Sequence, residues 1–418
     1  MEAGSPSASG HADGASREYR HHHYVPQWYQ KRFLEPTATE NVLHYLSLHA
    51  MTFVDERQRR RELPRRRRRG IRQCFAADDL YTLRFGREQT TSIEKQLFGD
   101  LDQRGNDSVA YWSTFAHPAA DQKALSGLMH YMSAQKLRTP KGLDWLAQQL
   151  RTTDPNQTLG AMVKLRTLFA SIWAESIWQI ADASQSETKF IVTDHPVSVY
   201  NRVLGPRNRL CRPPNDPDIR LHGSHTIFPL GLDKVLILTN RSWARNPYQP
   251  ATKFRPNPDF YRDTYFNFFE IQTHRILGED EVRQINFILK SCAYRFIAAG
   301  RQEWLYPERH VSKSDWNRFG NGYLLMPEPR SLHHGAQMIM QYADGSSQSF
   351  DDFGRRPWQP RFGADDQPQR GRDPLNRFQA EFARLYGPRR RARSFESGRL
   401  DDEQDSEERH QYYLSLGR

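Results

Sequence analysis

Cysteine is scarce in this chain, and the three present, Cys74, Cys211 and Cys292, are odd in number and far apart. That spacing fits neither a disulfide framework nor a cysteine-based zinc site. Long hydrophobic runs are missing as well: no stretch approaches the roughly 18 consecutive apolar residues of a membrane-spanning helix. Met1 to Gly14 is mostly Gly, Ser and Ala without an apolar run, so it does not read as a secretory signal. A reducing, cytoplasmic setting away from membranes is the expectation. The sequence also lacks a Gly-rich phosphate loop, a Gly-x-Ser-x-Gly elbow and a His-Glu-x-x-His helix. Their absence removes the common NTPase, serine-hydrolase and zinc-protease readings.

Basic charge is plentiful but concentrated. The formal net charge is +11 over 418 residues. Ten arginines and one glutamate between Arg57 and Arg72 contribute +9 of it, leaving +2 for everything else. The body is close to neutral, so the basicity is local rather than a charged face. The Arg65–Arg69 run suits phosphate contacts, but no stacking aromatics interrupt it, as a single-strand binder would want. A solvated loop over residues 57–72, or an address signal, is expected rather than a specific nucleic-acid site.

The pattern along the chain alternates between periods. Residues 1–18 read as a disordered tail, because beyond Met1 no large apolar side chain offsets the entropy of ordering. Asn41–Leu48 alternates as a strand, and Ala76–Leu83 is placed as its pairing strand. Ile93, Leu97 and Leu101 begin a helix behind a Thr91/Glu94 capping box. Leu125, Leu128, Met129 and Met132 form one face of a second helix ending before Pro140. Residues 159–182 are apolar almost all round and read as a central buried helix. Phe190–Asp194 is a short strand, and Thr226–Leu230 with Lys234–Leu238 reads as a hairpin. Val282, Ile285, Leu289, Cys292 and Phe296 mark a last amphipathic helix. After Pro307 the composition loosens into Gly, Pro, Arg, Asp and Gln, with Tyr323–Leu325 a candidate to return to the body.

Four blocks occur in order: His22–Tyr29, Gln135–Pro140, Phe190–Val197 and Ile227–Leu230. Together they resemble the domain-of-unknown-function family 4238, whose members open with an HHYVPQFYL-like signature, over roughly residues 20–305. Trp28 stands where the family usually has Phe, and His195 where it often has Asn. The resemblance implies a shared fold and an intracellular protein; it implies no reaction.

The candidate site residues come from these blocks. His22 and His23 could move protons near neutral pH, with Gln27 close by; on an extended strand only one of the pair faces a given side, and His23 is preferred. Against this, Pro26 suits a helix start whose aromatics would simply brace the core. Glu94 is either a base or metal ligand, or the ordinary N3 residue of its capping box. Gln135 and Arg138 lie three apart and could grip an anion, or form a plain helix stop before Pro140. Asp194 follows an apolar strand, where catalytic acids commonly sit, or turns the chain before Pro196. His222 and His225 lack an evident third metal partner.

The expected fold is α+β, a small mixed β-sheet packed by three or four helices. It occupies residues 19–306, with disordered N- and C-terminal extensions at 1–18 and 307–418. The leading functional expectation is a hydrolase performing metal-dependent phosphodiester cleavage. In it His23, Glu94, Arg138 and Asp194 are catalytic, His22, Gln27 and Gln135 bind, and Asp194 with Glu94 holds a divalent metal ion. Two alternatives stand beside it: a non-enzymatic module for a small anionic ligand, and nucleic-acid binding through the arginine segment.

Overall fold

A computed structural model describes residues 21–417, apart from 55–58, 86–87, 91–97, 116–120, 268–269, 313–315, 317–322, 333–336, 365–371, 389–392 and 395–406. The tail expected at 1–18, the Thr91/Glu94 capping box and the start of its helix lie outside the described residues.

The N-terminal part comprises β1 (His21–His23), α1 (Gln27–Lys31), β2 (Val42–Ser47), β3 (Met51–Val54), β4 (Arg60–Leu63), β5 (Arg66–Gly70) and β6 (Ala76–Asp78). Helices follow: α2 (Gly99–Ser113), α3 (Gln122–Arg138), α4 (Pro140–Leu150), α5 (Pro155–Lys164) and α6 (Ala170–Ala174). The chain then builds β7 (Ile177–Asp182), β8 (Val192–Thr193), β9 (Ser198–Asn201), β10 (Ser224–Pro229) and β11 (Lys234–Thr239). It continues through α7 (Arg241–Arg245), β12 (Ile271–Ile276), α8 (Glu279–Cys292) and β13 (Phe296–Ala299). Beyond residue 307 come the hairpin β14 (Met338–Gln341) and β15 (Ser347–Phe350), then α9 (Arg372–Tyr386), β16 (Arg393–Ser394) and α10 (Glu407–Ser415).

The α+β expectation holds. Two sheets carry the fold: a six-stranded mixed sheet ordered β9-β10-β11-β7-β12-β16, and a four-stranded antiparallel sheet ordered β8-β13-β2-β5. The hairpin read from residues 226–238 is β10–β11, with Ile227 opposite Ile237.

Four local expectations change. The predicted central helix over 159–182 is α5, a turn, α6 and then β7, a strand between β11 and β12. Strand residues buried on both faces read as a continuous apolar run, which periodicity cannot separate from a buried helix. Phe296 belongs to β13 rather than to the helix before it, because α8 stops at Cys292 and Ala293 turns extended. Ala76–Asp78 pairs with His21–His23, not with β2. The partner of β2 is Arg66–Gly70, so much of the supposed arginine loop is strand. Arg66 and Arg68 are exposed while Arg69 lies over the Tyr45 ring at 5.3 Å. As an edge strand, β5 is protected by those charges from pairing with another chain.

The core spans helices and both sheets, with Trp112, Trp173 and Trp178 fully buried. Leu324 and Leu325 do return to it. More of the chain past 307 is built in than its composition suggests. In α9, Leu375, Phe378 and Phe382 pack with Ile177, Trp243 and Leu332 in a second cluster.

Candidate functional site

The junction of α3 and α4 organises the site. Thr139 precedes Pro140 and is therefore pushed to extended backbone (φ −71°, ψ 157°), which ends α3. Its hydroxyl then accepts from the Gly142 N–H at 3.1 Å and caps α4, with Pro140 at the first helical position. Two helices therefore abut with one residue between them. Lys136 and Lys141 project from either side of this joint onto the same carboxylate, that of Asp216.

Asp216 sits in the Pro-rich loop before β10. One of its oxygens accepts from Lys136 Nζ at 2.5 Å and the other from Lys141 Nζ. His195, at the end of β8, completes the group: Nε2 lies 3.2 Å from both Lys136 Nζ and Asp216 Oδ2, and Nδ1 lies 2.7 Å from Thr139 Oγ1. Lys136 also donates to the Val197 carbonyl at 3.3 Å, and Lys141 to the Cys292 carbonyl at 2.7 Å. Lys141 thus uses two of its three N–H donors inside the protein.

The electrostatics follow from burial and proximity. Burial and the neighbouring Lys136 push the His195 imidazole down to about 3, so it is neutral at physiological pH. Burial, opposed by Asp216 and reinforced by Lys141, lowers the Lys136 amine. For Lys141 burial acts the same way, but Asp216 more than reverses it and the amine is raised. Asp216 is buried too, yet the two ammonium groups hold it well below the usual carboxylate range. Two cations against one anion leave the group with an uncompensated positive charge.

These residues floor a cavity of about 250 Å³. Its wall is aromatic: Phe169 lies 6.4 Å from Trp145 and 5.8 Å, edge on, from Phe260. Arg220 lies over Phe260 at 5.2 Å while its guanidinium grips Asp218.

The residues singled out from the sequence lie elsewhere, in one packed neighbourhood. His22 accepts from the Tyr81 N–H at 3.1 Å and stacks on that ring. His23 is half-buried with Nε2 3.0 Å from the Arg72 carbonyl, and burial lowers its pKa. Gln27 opens α1 and is half-buried; the buried amide of that helix is Gln30, bonded to the Val25 and Cys74 carbonyls. Gln135 donates to the Tyr24 carbonyl at 2.8 Å and accepts from Arg138 Nε at 2.6 Å. Arg138 is fully buried, ion-paired to Asp102 at 2.7 Å. Burial would lower its pKa, but Asp102 more than reverses this. Asp194 accepts from three successive backbone N–H groups, those of Tyr294, Arg295 and Phe296, at 2.8, 2.6 and 2.9 Å. Burial pushes its carboxyl up against the pull of those donors. All of these but Gln27 make a bracing contact. Glu94, the proposed second metal ligand, lies outside the described residues, and among those described no group of three or more His, Cys, Asp or Glu is arranged to hold a metal ion.

The blocks were informative, but the neighbouring residues in them line the cavity: Lys136 beside Gln135 and Arg138, and His195 beside Asp194. Asp216 was missed entirely. Its one local signal is a carboxylate held between Pro214 and Pro217, a stiffened loop position.

Among the described residues no helix is long and apolar enough to cross a membrane. Residues 143–303 match the family model described as "Protein of unknown function (DUF4238)". That span contains the Phe190–Val197 and Ile227–Leu230 blocks. No curated protein and no solved structure matches the chain.

Proposed function

Because the family model matched by residues 143–303 is one of unknown function and brings no reaction with it, we propose a function from the cavity itself: it binds a small anionic molecule with a flat, apolar body. The observation that carries this reading is the convergence of Lys136, Lys141 and neutral His195 on the single carboxylate of Asp216, on the floor of an aromatic-walled cavity. The excess charge attracts an anion, and the spare Lys141 donor gives it a charge-assisted hydrogen bond. Trp145, Phe169 and Phe260 receive the apolar part, the usual division of labour in small-molecule sites.

The test uses benzoate and nicotinate as probes and follows tryptophan fluorescence. Both should quench the wild-type protein saturably. Trp145→Phe should remove most of that signal, and Lys141→Gln should weaken the apparent affinity about tenfold, the effect of losing one charge-assisted hydrogen bond. Quenching of equal size in wild type and Trp145→Phe would sink the reading.

Hydrolysis is a second reading with one observation in its favour. His195 lines the cavity with a neutral imidazole, the residue type that most often moves protons in hydrolysis, here a weak base because burial holds it down to about 3. Cleavage of DNA, RNA or nucleotides with magnesium or manganese, lost in His195→Gln, supports it. Turnover unchanged by that substitution removes it.

A further inference from the structure

A second, smaller cavity of about 110 Å³ lies between the turn before β10, helix α7, the segment 249–256 and the loop around residue 361. Its lining includes Arg245, Lys253, Arg255 and Arg361, together with His222 and Gln249, and contains no carboxylate. We propose that this cavity is a binding site for a tetrahedral oxyanion, the phosphate group of free phosphate or of a phosphomonoester.

Three observations support it. The first is His222, whose side chain is buried and whose Nδ1 has no hydrogen-bond partner. Such an orphan costs free energy unless something occupies it. In its Nδ1–H tautomer it would donate to an anion. The ring packs edge on against Trp243, and the His222 backbone N–H donates to the Lys253 carbonyl at 2.6 Å, fixing the main chain beneath it.

The second is charge. Behind the cavity Arg241 pairs with Glu270 and Asp352, Arg245 with Asp352, and Arg255 and Arg262 with Glu175. Arg255 fares worst. Its nearest carboxylate, Glu175, is 3.9 Å away and is already gripped by both guanidinium nitrogens of Arg262 and by the Thr264 hydroxyl. Burial, against the pull of Glu175, leaves the Arg255 guanidinium depressed to about 10. Lys253 and Arg361 add two exposed cations at the rim. A phosphate group would offset that surplus, and the fork of Arg255 matches its oxygens.

The third is backbone. Arg361 adopts φ +66°, the left-handed region that non-glycine side chains rarely occupy, and such strain gathers at ligand sites. Its loop is over-determined from within: Asp351 accepts from the N–H groups of Phe353 and Arg355 and from Arg355 Nε at 2.5 Å. The opposite wall is equally fixed, since the Gly223 N–H reaches the Ala251 carbonyl at 3.1 Å and a Cβ at Gly223 would lie 2.6 Å from Ala251 Cβ. The backbone that carries the rim cations is thus held in place. This site is separate from the Lys136/Lys141 cavity and goes beyond the function proposed for it.

Calorimetric titration of the full chain with inorganic phosphate, glucose 6-phosphate and adenosine monophosphate tests the proposal, with chloride matched in ionic strength. The expected result is saturable phosphate binding that weakens about tenfold or more in Lys253→Ala/Arg361→Ala. Both residues are exposed, so that variant should keep the melting temperature of the unliganded protein. Tighter binding of an ester identifies a phosphomonoester as the ligand, and equal or tighter binding of free phosphate identifies the inorganic ion. No saturable binding of any probe, equal affinity in the double variant, or loss confined to Lys141→Gln would overturn it.

Discussion

Asp194 shows how a carboxylate can be tied into the backbone of a fold. It ends β8 and holds the N–H groups of residues 294–296, fixing the turn from α8 into β13. Asp194→Ala would leave three part-buried backbone donors without their carboxylate. An expected loss of about 3 kcal/mol or more in urea-unfolding stability follows, at about 1 to 3 kcal/mol for each abandoned group. A loss within about 0.5 kcal/mol would contradict that role. The same residue shows what was legible in the sequence and what was not. An acidic residue closing an apolar strand was visible, and so was its place in the block with His195. Which of the two neighbours would face a cavity was not, because that depends on partners 100 residues away. On α3 the same ambiguity separates Gln135 and Arg138, which bond to each other and to the wall of the core, from Lys136 one position along. Asp216 lies in an aperiodic loop 80 residues from Lys136, and neither period nor propensity connects them.

At the scale of elements, apolar runs were legible where a turn or a proline bounds them. Helix α3 was readable from Leu128, Met129 and Met132 and from its stop before Pro140, although Tyr131–Arg138 are all buried. The β10–β11 hairpin was readable from two apolar runs either side of Gly231-Leu232-Asp233, although nearly all of it is buried. The strand β7 was not, since both of its faces are covered and Ile177–Asp182 offers no polar side. Nor was α9, whose Leu375, Phe378 and Phe382 are scattered among charges in a region dominated by polar residues. Those three side chains nonetheless fill a cluster with Trp243 and Leu332. Phe378→Ala should therefore destabilise the whole protein by about 3 to 5 kcal/mol, as for other large core deletions, measured by urea denaturation followed through tryptophan fluorescence. A transition unmoved by this change would show that α9 melts independently of the rest.

For the molecule as a whole, buried histidines set the response to acid. His195 is pushed down to about 3, and His222 and His225 to about 4, in each case chiefly by burial. In the unfolded chain all three take up protons near their ordinary value of about 6.5. Between about pH 6.5 and 4 the unfolded state therefore binds more protons than the folded one, and stability falls as pH falls. Melting temperatures across that window should decline steadily. Replacing buried His225, which lines neither cavity, by Gln should flatten the decline; an equally steep slope would contradict the assignment.

The mixed sheet also dictates an order of assembly. Strand β12 runs parallel to β7 across about ninety intervening residues and meets β16 on its other side, so its central pairing is a long-range contact of the kind that slows folding. Arg393 and Ser394 reach it last as the chain leaves the ribosome. Until then one flank of β12 carries unsatisfied amides and carbonyls, and a nascent or truncated polypeptide ending before that point would offer this flank to any stray strand.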